Sequence, residues 1–118
     1  MEYLKIGLIV FVAFEHFYFL FLEMFLWTKP RTMKVFGIRD KKLAEDTKVL
    51  AANQGLYNGF LSVGLIVSLI FNEDNVSILF LSFVLVAGIY GAFSTKNSKL
   101  FIVQGIPALL ALSVIFLT

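Results

Sequence analysis

The sequence predicts an all-α integral membrane protein, a four-helix bundle with both termini extracytoplasmic. Three observations predict it: an apolar composition, four apolar segments of spanning length, and a one-sided distribution of Lys and Arg. Of the 118 residues, 59% are apolar and 15% are charged, against about 25% charged in a soluble domain. A domain this small leaves roughly a third of its chain surface exposed on folding, so water would meet much of that Phe, Leu, Ile and Val. Lipid is the solvent that accepts it.

Polar punctuation divides the chain into apolar runs at Ile6 to Trp27, Val49 to Phe71, Val76 to Phe93 and Leu100 to Leu117. At about 1.5 Å per residue these reach roughly 27 to 35 Å, enough for a hydrocarbon core of about 30 Å. The expected helices are about 4–27, 41–71, 76–94 and 99–117, forming one transmembrane domain over residues 1–118. The first run is not read as a cleaved secretory signal, because Glu15, His16 and Glu23 interrupt its core and no A-x-A pattern follows it. Helix 2 is expected to begin in solvent, with Asp40 as N-cap and Lys41/Glu45 and Lys42/Asp46 as ion pairs one turn apart. The linker from Thr28 to Arg39 contains Pro30 and Gly37 and reads as a structured loop.

Orientation follows from the cations. Lys29, Arg31, Lys34, Arg39, Lys41, Lys42 and Lys48 fall between helices 1 and 2, and Lys96 and Lys99 between helices 3 and 4, which leaves only Lys5 on the other side. Positive charge gathers in the cytoplasm, so Met1 and Thr118 are expected outside and the chain is expected to be a multi-pass plasma-membrane protein. Trp27 is expected as an interfacial anchor. A net charge of +2 carried in short loops does not point to nucleic acid. The absence of cysteine excludes disulfides and thiolate sites.

Close backbone approach holds helices together in lipid. Ala51, Gly55 and Gly59 form one small-residue stripe, and Ala87/Gly91 with Gly88/Ala92 form another. These stripes suit packing within the chain, or a homo-oligomer. Pro107 removes an N–H inside helix 4 and predicts a kink beside Gln104.

Polar groups within apolar runs are the functional candidates, because their burial is expensive. His16 and Glu23, seven residues apart, share one face of helix 1 and are the candidate catalytic or proton-handling pair; Glu15 lies about 100° away. Asn53, Gln54, Tyr57, Asn58, Tyr90 and Gln104 are the candidate ligand-binding residues. Glu23, Asn53, Gln54, Tyr90 and Gln104 all fall roughly 5 to 9 Å inside the cytoplasmic face. Two readings compete: a hydrogen-bonded network that only fixes packing, and a pocket open to the cytoplasm. A metal site is disfavoured, since His16 and Glu23 are roughly 10 Å apart along the helix and no second histidine exists. No cofactor is expected.

His16 with Glu23, Met24 and Trp27, the stretch Ala51-Ala52-Asn53-Gln54-Gly55-Leu56-Tyr57-Asn58-Gly59-Phe60, and Gln104-Gly105-x-Pro107-Ala108 together resemble a family of small bacterial membrane proteins, domain of unknown function 1304. The resemblance covers essentially the whole chain and implies a four-helix membrane protein, with no activity attached. Small multidrug transporters are similar in length and place a carboxylate in helix 1, where Glu15 is the counterpart. Glutathione-handling membrane enzymes share only the helix count, since no arginine lies in the spans.

The function expected is a membrane protein with a cytoplasm-facing intramembrane pocket for a small, partly apolar molecule or lipid. Acid/base chemistry such as an isomerisation fits His16 and Glu23. The alternatives are a proton-coupled small-molecule transporter and an accessory subunit packed against a larger partner.

Overall fold

The computed structural model describes residues 1–118. It is all-α and holds five helices: α1 Glu2–Phe25, α2 Pro30–Phe36, α3 Lys41–Ile70, α4 Asp74–Thr95 and α5 Ile106–Leu117. A π-helical turn, Phe101–Gly105, leads into α5. The apolar runs expected as helices at 4–27, 41–71, 76–94 and 99–117 fall on α1, α3, α4 and the π turn with α5, and α2 is a helix beyond those expected.

The linker from Thr28 to Arg39 is corrected from loop to helix. Its two loop markers are helix punctuation: Pro30 opens α2 at its first position, where a missing N–H costs nothing. Gly37 closes it at φ 72°, a left-handed conformation that a Cβ disfavours. The N–H of Gly37 reaches the Lys34 carbonyl at 3.3 Å and that of Ile38 reaches the Met33 carbonyl at 2.8 Å, a Schellman stop.

Asp40 caps α3 as expected, its Oδ1 accepting from the Lys42 N–H at 2.9 Å. Lys42 pairs with Asp46 at 3.2 Å. The expected Lys41/Glu45 pair is replaced: Lys41 Nζ donates to the Thr28 carbonyl, and Glu45 pairs with Lys48 at 3.4 Å. The linker turns back toward the start of α3, so a carbonyl competes successfully for the lysine.

The kink expected at Pro107 takes the form of the π turn. The Ile106 N–H bonds the Phe101 carbonyl, five residues back, and the ring of Pro107 has no N–H to offer Val103. Gly105 is buried there, and a Cβ on Gly88 of α4 would lie 3.1 Å from the Gly105 nitrogen. A side chain at Gly88 would have to push that backbone back by a few tenths of an ångström, so glycine eases the approach.

The chain groups into two compact units, Met1–Glu15 with Leu61–Thr118, and His16–Phe60. The first contains the apolar core: Ile9, Val12 and Ala13 of α1, Leu65 of α3, Leu81 and Val84 of α4, and Ala108, Ala111, Leu112 and Ile115 of α5. Its buried hydroxyls are satisfied locally. Ser62 Oγ donates to the Ala13 carbonyl at 2.6 Å, and Ser77 Oγ to Ser68 Oγ at 2.6 Å. Lys5 is buried and bridges Glu2 at 3.2 Å and Asp74 at 3.0 Å.

α1 and α4 are each long and apolar enough to cross a membrane. Phe101–Leu117 is apolar but shorter. α3 has 30 residues, but the amides at Asn53, Gln54 and Asn58 dilute its apolar character.

Candidate functional site

The second unit, His16–Phe60, assembles the candidate site. The C-terminal half of α1 packs against the part of α3 up to Phe60 because glycine removes the obstacle. A Cβ on Gly55 would meet Met24 Cγ at 2.7 Å, Glu23 Cβ at 3.1 Å and the Leu20 carbonyl at 3.2 Å; one on Gly59 would meet Leu20 Cδ1 at 2.6 Å. The small-residue stripe of α3 therefore faces α1 within this unit.

That approach buries Glu23 and Asn58 side by side. Asn58 Nδ2 donates to Glu23 Oε1 at 2.5 Å, and the two residues are only 6% and 8% exposed. A carboxyl removed from water needs such a donor, or its burial costs several kcal/mol, on the order of the desolvation penalty for an ion in protein. The amide supplies it across 35 residues of sequence.

Glu23 also lines a cleft of about 400 Å³, whose walls are Met24, Phe25, Trp27, Val49 and Ala52 and whose polar groups are Glu23, Thr28, Lys48 and Asn53. The lining thus sets a few polar groups among apolar walls. Trp27 is fixed at the rim: its Nε1 donates to Thr47 Oγ1 at 3.0 Å, and its ring lies 5.0 Å from that of Phe36. The short helix α2 thus holds the wall of the cleft through Phe36.

The other candidates fall in varied places. His16 is fully buried, with its ring edge-on to Phe19 at 5.2 Å, and it is absent from the cleft lining. Asn53 lies in the lining and bonds the Val49 carbonyl at 3.0 Å. Gln54 and Tyr57 are exposed. Tyr90 and Gln104 belong to the other unit; Tyr90 is 70% exposed on α4 and Gln104 is half-buried in the π turn. Glu15 is half-buried, with no hydrogen-bond partner for Oε1.

Sequence reasoning passed over Met24, Phe25, Thr28, Lys48, Val49 and Ala52 as a lining. Apolar walls leave no mark in a sequence already rich in apolar residues. Lys48 was counted only as a topological charge.

The fold and cleft together define a small all-α protein with two helices able to cross a membrane and a carboxyl-bearing cleft beside the end of the first. The chain belongs to the family described as protein of unknown function DUF1304, whose model matches residues 10–116. It is similar to the uncharacterized protein YpaA of Lactococcus lactis subsp. lactis (strain IL1403), with 36% identity over 115 residues, covering 95% of this chain and 96% of that protein. No solved structure matches.

Proposed function

We propose that this protein is a multi-pass plasma-membrane protein, a four-helix bundle with both termini outside, that binds a small, partly apolar molecule in the Glu23 cleft from the cytoplasmic side. The membrane part of the reading is supported by what the long helices leave uncovered. Only 39% of the apolar window of α1 and 22% of that of α4 is buried, whereas the core helix of a soluble protein hides most of its surface. Phe14, Phe21, Val86 and Phe93 are all more than half exposed, an arrangement that water penalises and acyl chains do not.

Topology is tested by reporter fusions at residue 118 and within residues 31–39. The cytoplasmic reporter is expected to be active only in the second set, and an active cytoplasmic reporter at residue 118 overturns the orientation.

The observation that carries the binding reading is that Glu23 is both buried and cleft-lining. Asn58 donates to Oε1, and the Glu23 side chain still contributes to the cleft wall. A ligand with a hydrogen-bond-donating or cationic head would therefore meet an acceptor, and its apolar body would lie against Met24, Phe25 and Val49.

Trp27 is the one tryptophan and lies in the cleft wall, so its fluorescence reads occupancy directly. Benzylamine, benzyl alcohol and benzoate share a body and differ in head group. Benzylamine is expected to change Trp27 emission saturably at the lowest concentration and benzoate at the highest. A response equal for all three heads would remove Glu23 from recognition.

A further inference from the structure

We propose that the first unit carries a separate binding site for an anionic phospholipid of the phosphatidylglycerol type, in the cleft where α4 gives way to the π turn. This cleft, about 570 Å³, is lined by Ile89, Ala92, Phe93, Lys96, Ser98 and Phe101. It rests on the membrane reading above but not on the Glu23 cleft, with which it shares no lining residue.

Charge complementarity identifies the occupant. No Asp or Glu occurs from Asn75 to Thr118, while Lys96 and Lys99 stand in that stretch. Neither lysine pairs with a carboxylate anywhere in the fold. The positive charge at this turn is therefore uncompensated by protein, and the positive-inside assignment puts it against the leaflet that carries anionic lipid.

The apolar part of the cleft fits an acyl chain. Ile89 is 52% exposed and Phe93 82% exposed. Ile89 and Phe93 follow one another along the last turns of α4 and Lys96 caps its end, so about 10 Å of apolar wall leads up to that residue. The turn is held in shape by Lys96 itself at φ 56°, whose N–H bonds the Phe93 carbonyl at 3.4 Å, with the Asn97 N–H on the Ala92 carbonyl at 3.1 Å. Head-group phosphate would be met by Lys96 Nζ and the Ser98 hydroxyl, with the chain on Ile89, Phe93 and Phe101.

The test uses the purified full chain in detergent, offered equimolar phosphatidylglycerol and phosphatidylcholine of the same chains and read by native mass spectrometry. Phosphatidylglycerol adducts are expected to exceed phosphatidylcholine adducts about fivefold, the discrimination one basic residue near a surface supplies. Lys96→Gln is expected to abolish that preference, and Lys34→Gln, in α2, to leave it intact. Equal retention of the two lipids overturns the proposal, as does a preference that survives Lys96→Gln. Inorganic phosphate that displaces the lipid without any head-group preference would also overturn it. Flotation with vesicles of phosphatidylcholine alone tests the membrane reading separately.

Discussion

Gly55→Leu is expected to abolish accumulation of the folded protein, and Gly55→Ala to reduce it only partly. In lipid there is no hydrophobic force pressing helices together, so association depends on how closely backbones approach. At Gly55 the first added carbon already meets Met24 Cγ at 2.7 Å. Met24 is flexible and can move aside for a methyl group. The Leu20 carbonyl and Glu23 Cβ, at 3.2 and 3.1 Å, belong to α1 itself and cannot.

A leucine must therefore push α1 from α3, and the separation pulls Asn58 away from Glu23. Membrane-fraction abundance and gel filtration in mild detergent measure the outcome. Gly7→Leu is the control, since nothing lies within 4 Å of a Cβ there. Normal abundance of Gly55→Leu would show that the two helices do not need this contact.

The parts of the fold that lie in one solvent preference or one local rule were legible in the sequence. The all-α class followed from apolar runs, the cap at Asp40 from local capping chemistry, and the disturbance at Pro107 from its missing N–H. The glycine stripe of α3 was legible because close packing tolerates few other residues. What escaped was competition between alternatives of similar energy. Pro30 and Gly37 punctuate a loop or a short helix equally well, and the seven residues from Pro30 to Phe36 are enough for about two turns. Lys41 had Glu45 in reach on its own helix, yet a carbonyl brought near by the linker won.

The candidate site was half legible for a related reason. Spacing on one helix aligns His16 with Glu23, but alignment on a helix does not say what stands opposite. Asn58 was one of four candidate site residues on α3, with Asn53, Gln54 and Tyr57, and only the approach at Gly55 and Gly59 selects it as the partner of Glu23. The same approach places Asn53 at the cleft and leaves Gln54 and Tyr57 outward.

Glu23→Gln is expected to leave the fold intact while weakening benzylamine binding at least about tenfold, and Asn58→Ala is expected to destabilise the fold itself. The two variants separate roles that a single substitution would blur. A glutamine oxygen at position 23 can still accept from Asn58 Nδ2, so the buried contact survives. What it loses is the charge that a cationic head would meet, and hydrogen bonds to charged groups contribute about 1.5–3 kcal/mol. Removing Asn58 instead strands a buried carboxyl without its donor, a loss of about 1–3 kcal/mol. Replacing both residues by leucine removes the unsatisfied group, so thermal unfolding in detergent should recover part of that loss. Binding read through Trp27 should not recover. Wild-type binding by Glu23→Gln would end the ligand-site reading and leave the Glu23–Asn58 contact as a packing device alone.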